Sequence, residues 1–380
     1  MKNEEIIDII TYKIKIYNII SFNKNKIFTK IFLIILIIVI YNVIGQLVQK
    51  YSFLHQRNLS KLIYKKIENI KLIEEYLNNN NLNYYNKTNI NICMGIDNNY
   101  IYPTLVSMTS ALENNNKDKN ILVYYLFISF DIEKDTIKIF ESLKEKYEVI
   151  IYYYIIPNIF KYFRKWDSNT YGIYYKLLIP FILNKLTRII FLDADTLIFD
   201  DILEMYNLPF NDNYILGYPF HTPDKLDKFG IYSIYYINGG ILLMNIEKII
   251  KDNKHKDLMK FTYENNYDLV FLEQDSINYI LFKKIGFLPL KYGIYLYGNI
   301  TNYKANYEKD LRVKLNISEI NNAINNPSII HFCCCGPKIW NKNTKHNEGI
   351  DNICIRFQKE FYYYANKTNY YKLIYSKYMN

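Results

Sequence analysis

Asp193-Ala194-Asp195 stands directly after the apolar run Arg188-Ile189-Ile190-Phe191-Leu192. Such a run suits a buried strand. Two carboxylates one residue apart at its end are costly unless something neutralises them. A hard divalent cation is the natural partner, because Mg²⁺ and Mn²⁺ favour carboxylate oxygens and phosphates. His331 follows the apolar Ser328-Ile329-Ile330 and adds an imidazole, which Mn²⁺ accepts beside oxygen ligands. Lys338 and Lys176 supply point charges suited to a phosphate or a carboxylate. Asp97 and Asn99 occupy a polar turn, and Asn238-Gly239-Gly240 precedes another apolar run. Taken singly, each group has an ordinary explanation: a solvated acidic turn, a structural histidine, a surface lysine, a glycine turn. Their order along the chain is what carries information.

The elements that would position these groups alternate. Ile90–Ile96, Ile121–Ser129, Val149–Ile156 and Ile189–Leu192 read as strands. Between them, residues 103–112, 133–147 and 171–183 read as helices, with Pro103 in a first turn and a break near Pro180. Strand–helix alternation predicts an α/β fold with a mainly parallel sheet. Ligands of such sheets sit outside the C-terminal strand ends, which is where Asp97 and Asp193-Asp195 fall. Further on, Tyr214–Tyr218, the segment after Gly240, Phe287–Leu290 and Ser328–Phe332 are strand-like, while Leu258–Asn266 and Gln274–Lys283 are helical.

This order resembles the retaining glycosyltransferases of family 8, the group holding glycogenin and the bacterial lipopolysaccharide galactosyl- and glucosyltransferases. The similarity runs from about residue 90 to 342. It is carried by Gly95-Ile96-Asp97-Asn98-Asn99-Tyr100, Tyr174 to Pro180 with Lys176, Ile190 to Thr196, Ile237 to Asn245, Glu273 to Asn278, and His331 to Trp340. The resemblance implies a GT-A (Rossmann-like) fold and a UDP-sugar donor. It also implies Mn²⁺, with Mg²⁺ as the alternative, held by Asp193, Asp195 and His331. Gly95, Asp97, Asn99 and Tyr100 would then hold the nucleoside, Asp97 accepting from the uracil N–H. Ala194, Asp195, Gly336 and Lys338 would face the ribose and diphosphate. Asn238, Gln274 and Asp275 would be catalytic residues on the sugar and acceptor side, and Lys176, also catalytic, would join Lys338 in adding positive charge toward the donor's phosphates. The chain departs from the family pattern in Cys333-Cys334-Cys335, in Ile339 where proline is common, and in His221 and Asp224 near a frequent aspartate. The expected activity is hexosyl transfer, from UDP-glucose or UDP-galactose, to a glycan, glycolipid or glycoprotein acceptor. The alternative is a non-catalytic nucleotide-sugar-binding protein of the same fold. A phosphoesterase would need a second set of metal ligands, which is not found.

Composition adds constraints. The net charge of +10 is spread along the chain and dominated by lysine, with no Arg/aromatic cluster or zinc-finger spacing, so no nucleic-acid partner is expected. Five cysteines, an odd number with three in a row, do not describe a disulfide framework. The 41 tyrosines accompany equally heavy use of Asn, Ile and Lys and follow from composition bias. Ile27–Val48, almost purely aliphatic from Ile31 to Ile44, predicts a single transmembrane anchor. The organisation expected is therefore a tail over 1–26, an anchor over 27–48 and a stalk over 49–87. A GT-A domain over 88–345 and a helical extension over 346–380 complete it. That arrangement is type II-like, a single-pass membrane protein that allows a homodimer.

Overall fold

The computed structural model describes residues 35–45, 65–68, 70–73, 86–165, 170–220, 236–293, 317–333, 338–341 and 351–379. Residues 1–62 and 63–380 form two compact units. In the first, residues 35–45 are helical. The anchor expected over 27–48 is not supported. Among the described residues no helix is long and apolar enough to cross a membrane. A span needs about 20 residues, and the helix at 35–45 falls well short of that. Residues 27–34 and 46–48 of the expected span lie outside the described residues. The single-pass, type II-like localisation rested on that span and falls with it.

The second unit is built on an eight-stranded sheet. Its strands are β1 (Lys71–Leu72), β2 (Thr88–Ile96), β3 (Asn120–Ser129), β4 (Val149–Ile156), β5 (Arg188–Leu192), β7 (Ile215–Pro219), β8 (Ile237–Asn245) and β9 (Ile285–Phe287), in the order β1-β4-β3-β2-β5-β8-β7-β9. β6 (Thr196–Ile198) and β10 (Ile329–His331) form a separate antiparallel pair. Four of the seven neighbouring pairs in the large sheet are parallel, so it is mainly parallel as expected. β3 and β4 are nearly continuous apolar runs because helices and loops cover both faces. One core cluster packs β2, β3 and β5 against α1 (Ile101–Asn114), and a second lies beneath residues 172–183 and α3 (Lys254–Asn265), with α2 (Lys134–Glu141) flanking the first. The stretch read from sequence as a stalk includes β1, which pairs antiparallel with β4. An unpaired edge strand needs a cover, and two residues of extended chain supply it.

Strand direction explains how distant residues meet. β2 and β5 are parallel neighbours, so Asp97 and Asp193 emerge from the same sheet edge. β8 runs antiparallel to β5, with Leu192 opposite Ile241, so the start of β8 lies beside the end of β5. Asp193 N–H donates to the Gly240 carbonyl at 2.7 Å. β7 is antiparallel to β8 in turn, with Pro219 opposite Ile237, which delivers Tyr218 to the same edge. Finally β10 places His331 opposite Thr196, just after the acidic pair.

Candidate active site

Asp193, Asp195 and His331 offer three ligand atoms that lie within 4.8 Å of one another. His331 Nε2 is 3.1 Å from Asp195 Oδ1 and 3.5 Å from Asp193 Oδ2. Two carboxylates and one imidazole are a donor set suited to Mn²⁺ and tolerable to Mg²⁺. The backbone is shaped around the cluster. A Cβ at Gly240 would come within 2.0 Å of His331 Cε1 and 2.7 Å of Asp193 Oδ2, so only glycine leaves the imidazole and carboxylate their places. From sequence alone Gly239-Gly240 reads as a turn. Both residues are instead inside β8, and the reason for glycine is close approach, not chain reversal.

Lys338 Nζ contacts Asp195 Oδ2 and donates to the Phe332 carbonyl at 3.0 Å. Burial alone would push the Asp195 carboxyl up, but Lys338 and His331 hold it far below the usual carboxylate range. Burial works against the Lys338 charge too, yet Asp195 raises its pKa above that of a free lysine. Lys176 is the most deeply placed cation of the site, 1 % exposed. Its Nζ donates to Glu273 Oε1 at 2.8 Å and lies 3.6 Å from Asp193 Oδ1. Burial opposes its charge, but these two carboxylates outweigh burial and raise its pKa. Glu273 has one ammonium as partner and Asp193 as a like charge, so burial prevails and its pKa is raised.

These groups line a cleft of about 880 Å³. Of the residues expected from sequence, Gly95, Tyr100, Lys176, Asp193, Ala194, Asp195, Asn238, Gln274, His331 and Lys338 line it. Asn238 Oδ1 accepts from Gly240 N–H at 2.7 Å. Gln274 is held at both ends: Oε1 accepts from Gly239 N–H at 2.8 Å, and Nε2 donates to Tyr236 OH at 3.1 Å. Tyr100 meets Trp340 edge-on at 6.1 Å, and burial pushes its hydroxyl up to about 12.

Other expected residues are not brought to the cleft wall. Asp97 and Asn99 lie in the turn between Gly95 and Tyr100. Asp97 Oδ1 accepts from Asn99 N–H at 2.9 Å, while Oδ2 is buried with no hydrogen-bond partner. Asp275, expected on the sugar and acceptor side, turns away into the core and is 0 % exposed. It sits in the first turn of α4 (Glu273–Ile280), where Oδ2 accepts from Val270 and Phe271 N–H and Oδ1 accepts from Tyr236 OH. It thereby braces Leu272, whose φ of 55° is rare for a non-glycine residue. Gly336 lies outside the described residues, as do Cys334 and Cys335.

Three contributors were not expected from sequence. Glu273 is the partner of Lys176, and an acid directly before Gln274-Asp275 was the available signal. Tyr218 OH lies 2.9 Å from His331 Nδ1, and no local pattern marks it. Arg164, which lines the cleft while donating to the Leu269 carbonyl at 2.8 Å, is equally unmarked.

Comparison with known proteins agrees with this geometry. The family model described as glycosyl transferase family 8 matches residues 91–344. General stress protein A of Bacillus subtilis is 25 % identical over 281 residues, covering 72 % of this chain and 91 % of that protein. Lipopolysaccharide 1,3-galactosyltransferase of Salmonella typhimurium is 26 % identical over 250 residues, covering 63 % of this chain and 71 % of that one. Among solved structures, the galactosyltransferase LgtC in complex with donor and acceptor sugar analogues aligns with a TM-score of 0.59 at 16 % identity, covering 74 % of this chain and 96 % of that one. At that identity the likeness speaks to fold, which is GT-A-like.

Proposed function

The chain belongs to glycosyltransferase family 8, and from that premise we propose that it transfers glucose or galactose from a UDP-sugar, with retention, to a glycan, glycolipid or glycoprotein acceptor, in the presence of Mn²⁺. The observation that carries this reading is the convergence of Asp193, Asp195, His331 and Lys338 from two distant stretches of the chain on one cleft. A divalent cation at this donor set supplies Lewis acidity toward the donor's diphosphate.

The protein's own residues have the remaining tasks. Asp97 Oδ2, buried and without a partner, is suited to accept from the uracil N–H, since an unsatisfied buried acceptor gains most from a ligand donor. Tyr100, three residues on from Asp97, lines the cleft. Lys338 holds positive charge against Asp195, ready to stabilise the leaving diphosphate without reorganisation. Lys176 keeps Asp193 and Glu273 apart and fixes their orientation. Asn238 and Gln274 line the sugar side. The Gln274 carbonyl oxygen is occupied by Gly239 N–H, and an amide so held is a poor nucleophile. That supports attack of the acceptor hydroxyl on the same face the leaving group departs from. Asp275 then serves as a brace for the turn at Leu272 and not as a reacting group.

The test uses the full chain with a panel of UDP-sugars and Mn²⁺, reading UDP release and mass shift of acceptors. Turnover is expected with UDP-glucose or UDP-galactose, and the double substitution Asp193→Ala, Asp195→Ala should abolish it. Activity surviving that change would remove the metal assignment, and UDP binding without turnover of any donor would return the non-catalytic reading.

A further inference from the structure

On the reading that Asp193, Asp195 and His331 hold a divalent cation, we propose that Tyr218 is the positioning residue that makes His331 competent to bind it. Tyr218 is fully buried at the end of β7. Its ring is seated against backbone that only glycine allows, since a Cβ at Gly293 would come within 2.4 Å of Tyr218 Cδ1. The ring meets the imidazole edge-on at 83° with centroids 6.1 Å apart. The hydroxyl lies 2.9 Å from His331 Nδ1 and 3.7 Å from Cys333 Sγ. Nε2, on the other side of the ring, faces both carboxylates.

A neutral imidazole carries one N–H and one lone pair. To ligate through Nε2, His331 must carry its hydrogen on Nδ1, and that hydrogen needs an acceptor. The Tyr218 oxygen is that acceptor, and the Cys333 sulfur stands on the other side to receive the hydroxyl hydrogen. Without a cation the opposite arrangement is satisfied equally well. Tyr218 then donates to Nδ1, and Nε2–H donates to Asp195 Oδ1 at 3.1 Å. A carboxylate or carbonyl in place of Tyr218 can only accept, and so serves only the first arrangement. A hydroxyl serves both. One hydrogen leaves Nε2 and one arrives at Nδ1, so the two arrangements differ only in which ring nitrogen carries it. Tyr218 therefore keeps the buried site fully hydrogen-bonded in either state and steers Nε2 in both.

The experiment compares the native full chain with Tyr218→Phe, which keeps the ring and removes the hydroxyl. Mn²⁺ alone is titrated by calorimetry and by electron paramagnetic resonance, with thermal melting of the metal-free protein as a check on folding. Mn²⁺ affinity is expected to fall about 10- to 100-fold, the range seen when the outer partner of a ligating histidine is lost. In a His331→Ala background, Tyr218→Phe should weaken Mn²⁺ no further. On the native chain, imidazole ¹⁵N shifts, assigned by comparison with His331→Ala, are read with and without diamagnetic Mg²⁺. The hydrogen is expected on Nε2 without the cation and on Nδ1 with it. Unchanged Mn²⁺ affinity in Tyr218→Phe, equal weakening in the His331→Ala background, or a tautomer indifferent to Mg²⁺ each overturns the proposal. A native chain that binds no divalent cation overturns the metal reading itself, and this inference with it.

Discussion

Replacing Lys176 with methionine keeps the volume of the side chain and removes its charge from beside two carboxylates. At 2.8 Å, with an effective dielectric constant of about 20, the attraction between Lys176 and Glu273 is about 6 kcal/mol. Desolvation of both ions cancels much of that in the native chain. Removing one partner leaves the other buried and uncompensated, which costs about 3–5 kcal/mol. At roughly 2 °C per kcal/mol for a large domain, Lys176→Met should lower the melting temperature by about 6–10 °C. The loss should also depend on pH. Glu273 faces Lys176 and Asp193, with Tyr174 and Tyr236 close by, and burial already raises its pKa against the pull of Lys176. Without the ammonium the folded-state value rises further, while the unfolded value stays that of an ordinary carboxyl. A raised folded value means stability present below the unfolded pKa and lost as pH climbs through the folded one. Lys176→Met should therefore lie closest to the native chain near pH ~5 and furthest from it near pH ~8. Adding Glu273→Gln to Lys176→Met should recover most of the lost stability. Differential scanning fluorimetry across that pH range reads all of this. A loss that is the same at every pH, or that Glu273→Gln fails to recover, would refute the account of the pair.

Three further outcomes follow from the same site. Gly240→Ala should abolish Mn²⁺ binding in calorimetry while the far-ultraviolet spectrum persists, because the added methyl group occupies space held by His331 and Asp193. Lys338→Met should tighten binding of Mn²⁺ alone, since the ammonium on Asp195 Oδ2 no longer competes with it, and should weaken binding of UDP, measured in the same titrations. Phe361→Ala, in α5 (Asp351–Asn366), empties space beneath Trp340 at a cost of about 3–5 kcal/mol. It should raise the donor KM through Tyr100 and leave the affinity for Mn²⁺ alone unchanged.

Local features of this site were legible in the sequence where one short stretch contains both cause and effect. An apolar run closed by Asp193-Ala194-Asp195 states its own strand and the two carboxylates at its end. Val149–Ile156 appears in the structure with the bounds its composition predicts. Pairings across the fold were not legible. Lys176 and Glu273 are 97 residues apart, and Tyr218 and His331 are 113 apart, so only strand order brings them together. Asp275 misled for a helical reason. It follows Gln274 directly, but successive residues in a first turn point in different directions, and Asp275 faces back to its own helix start. Gly239-Gly240 misled because glycine marks turns and close approaches alike, and only the position of His331 distinguishes them. The aliphatic stretch from Ile31 to Ile44 predicted a span that no helix among the described residues is long and apolar enough to make.

Trp340 is gripped from behind by Phe361 at 5.6 Å and by Tyr378 at 6.1 Å, the latter from α6 (Tyr371–Met379). Tyr362 OH donates to its carbonyl at 2.6 Å, and Lys377 lies 5.2 Å over the Tyr102 ring. All of these gripping residues lie beyond position 344, where the family match ends. The C-terminal helices are thus not an interchangeable module. A chimaera carrying the corresponding segment of a relative would present Trp340, and Tyr100 in front of it, with a mismatched backing. Residues at 357–378 must change in step with Tyr102 and Trp340 for this packing to survive. Substitutions in this packing should accordingly be made as matched pairs spanning the two regions.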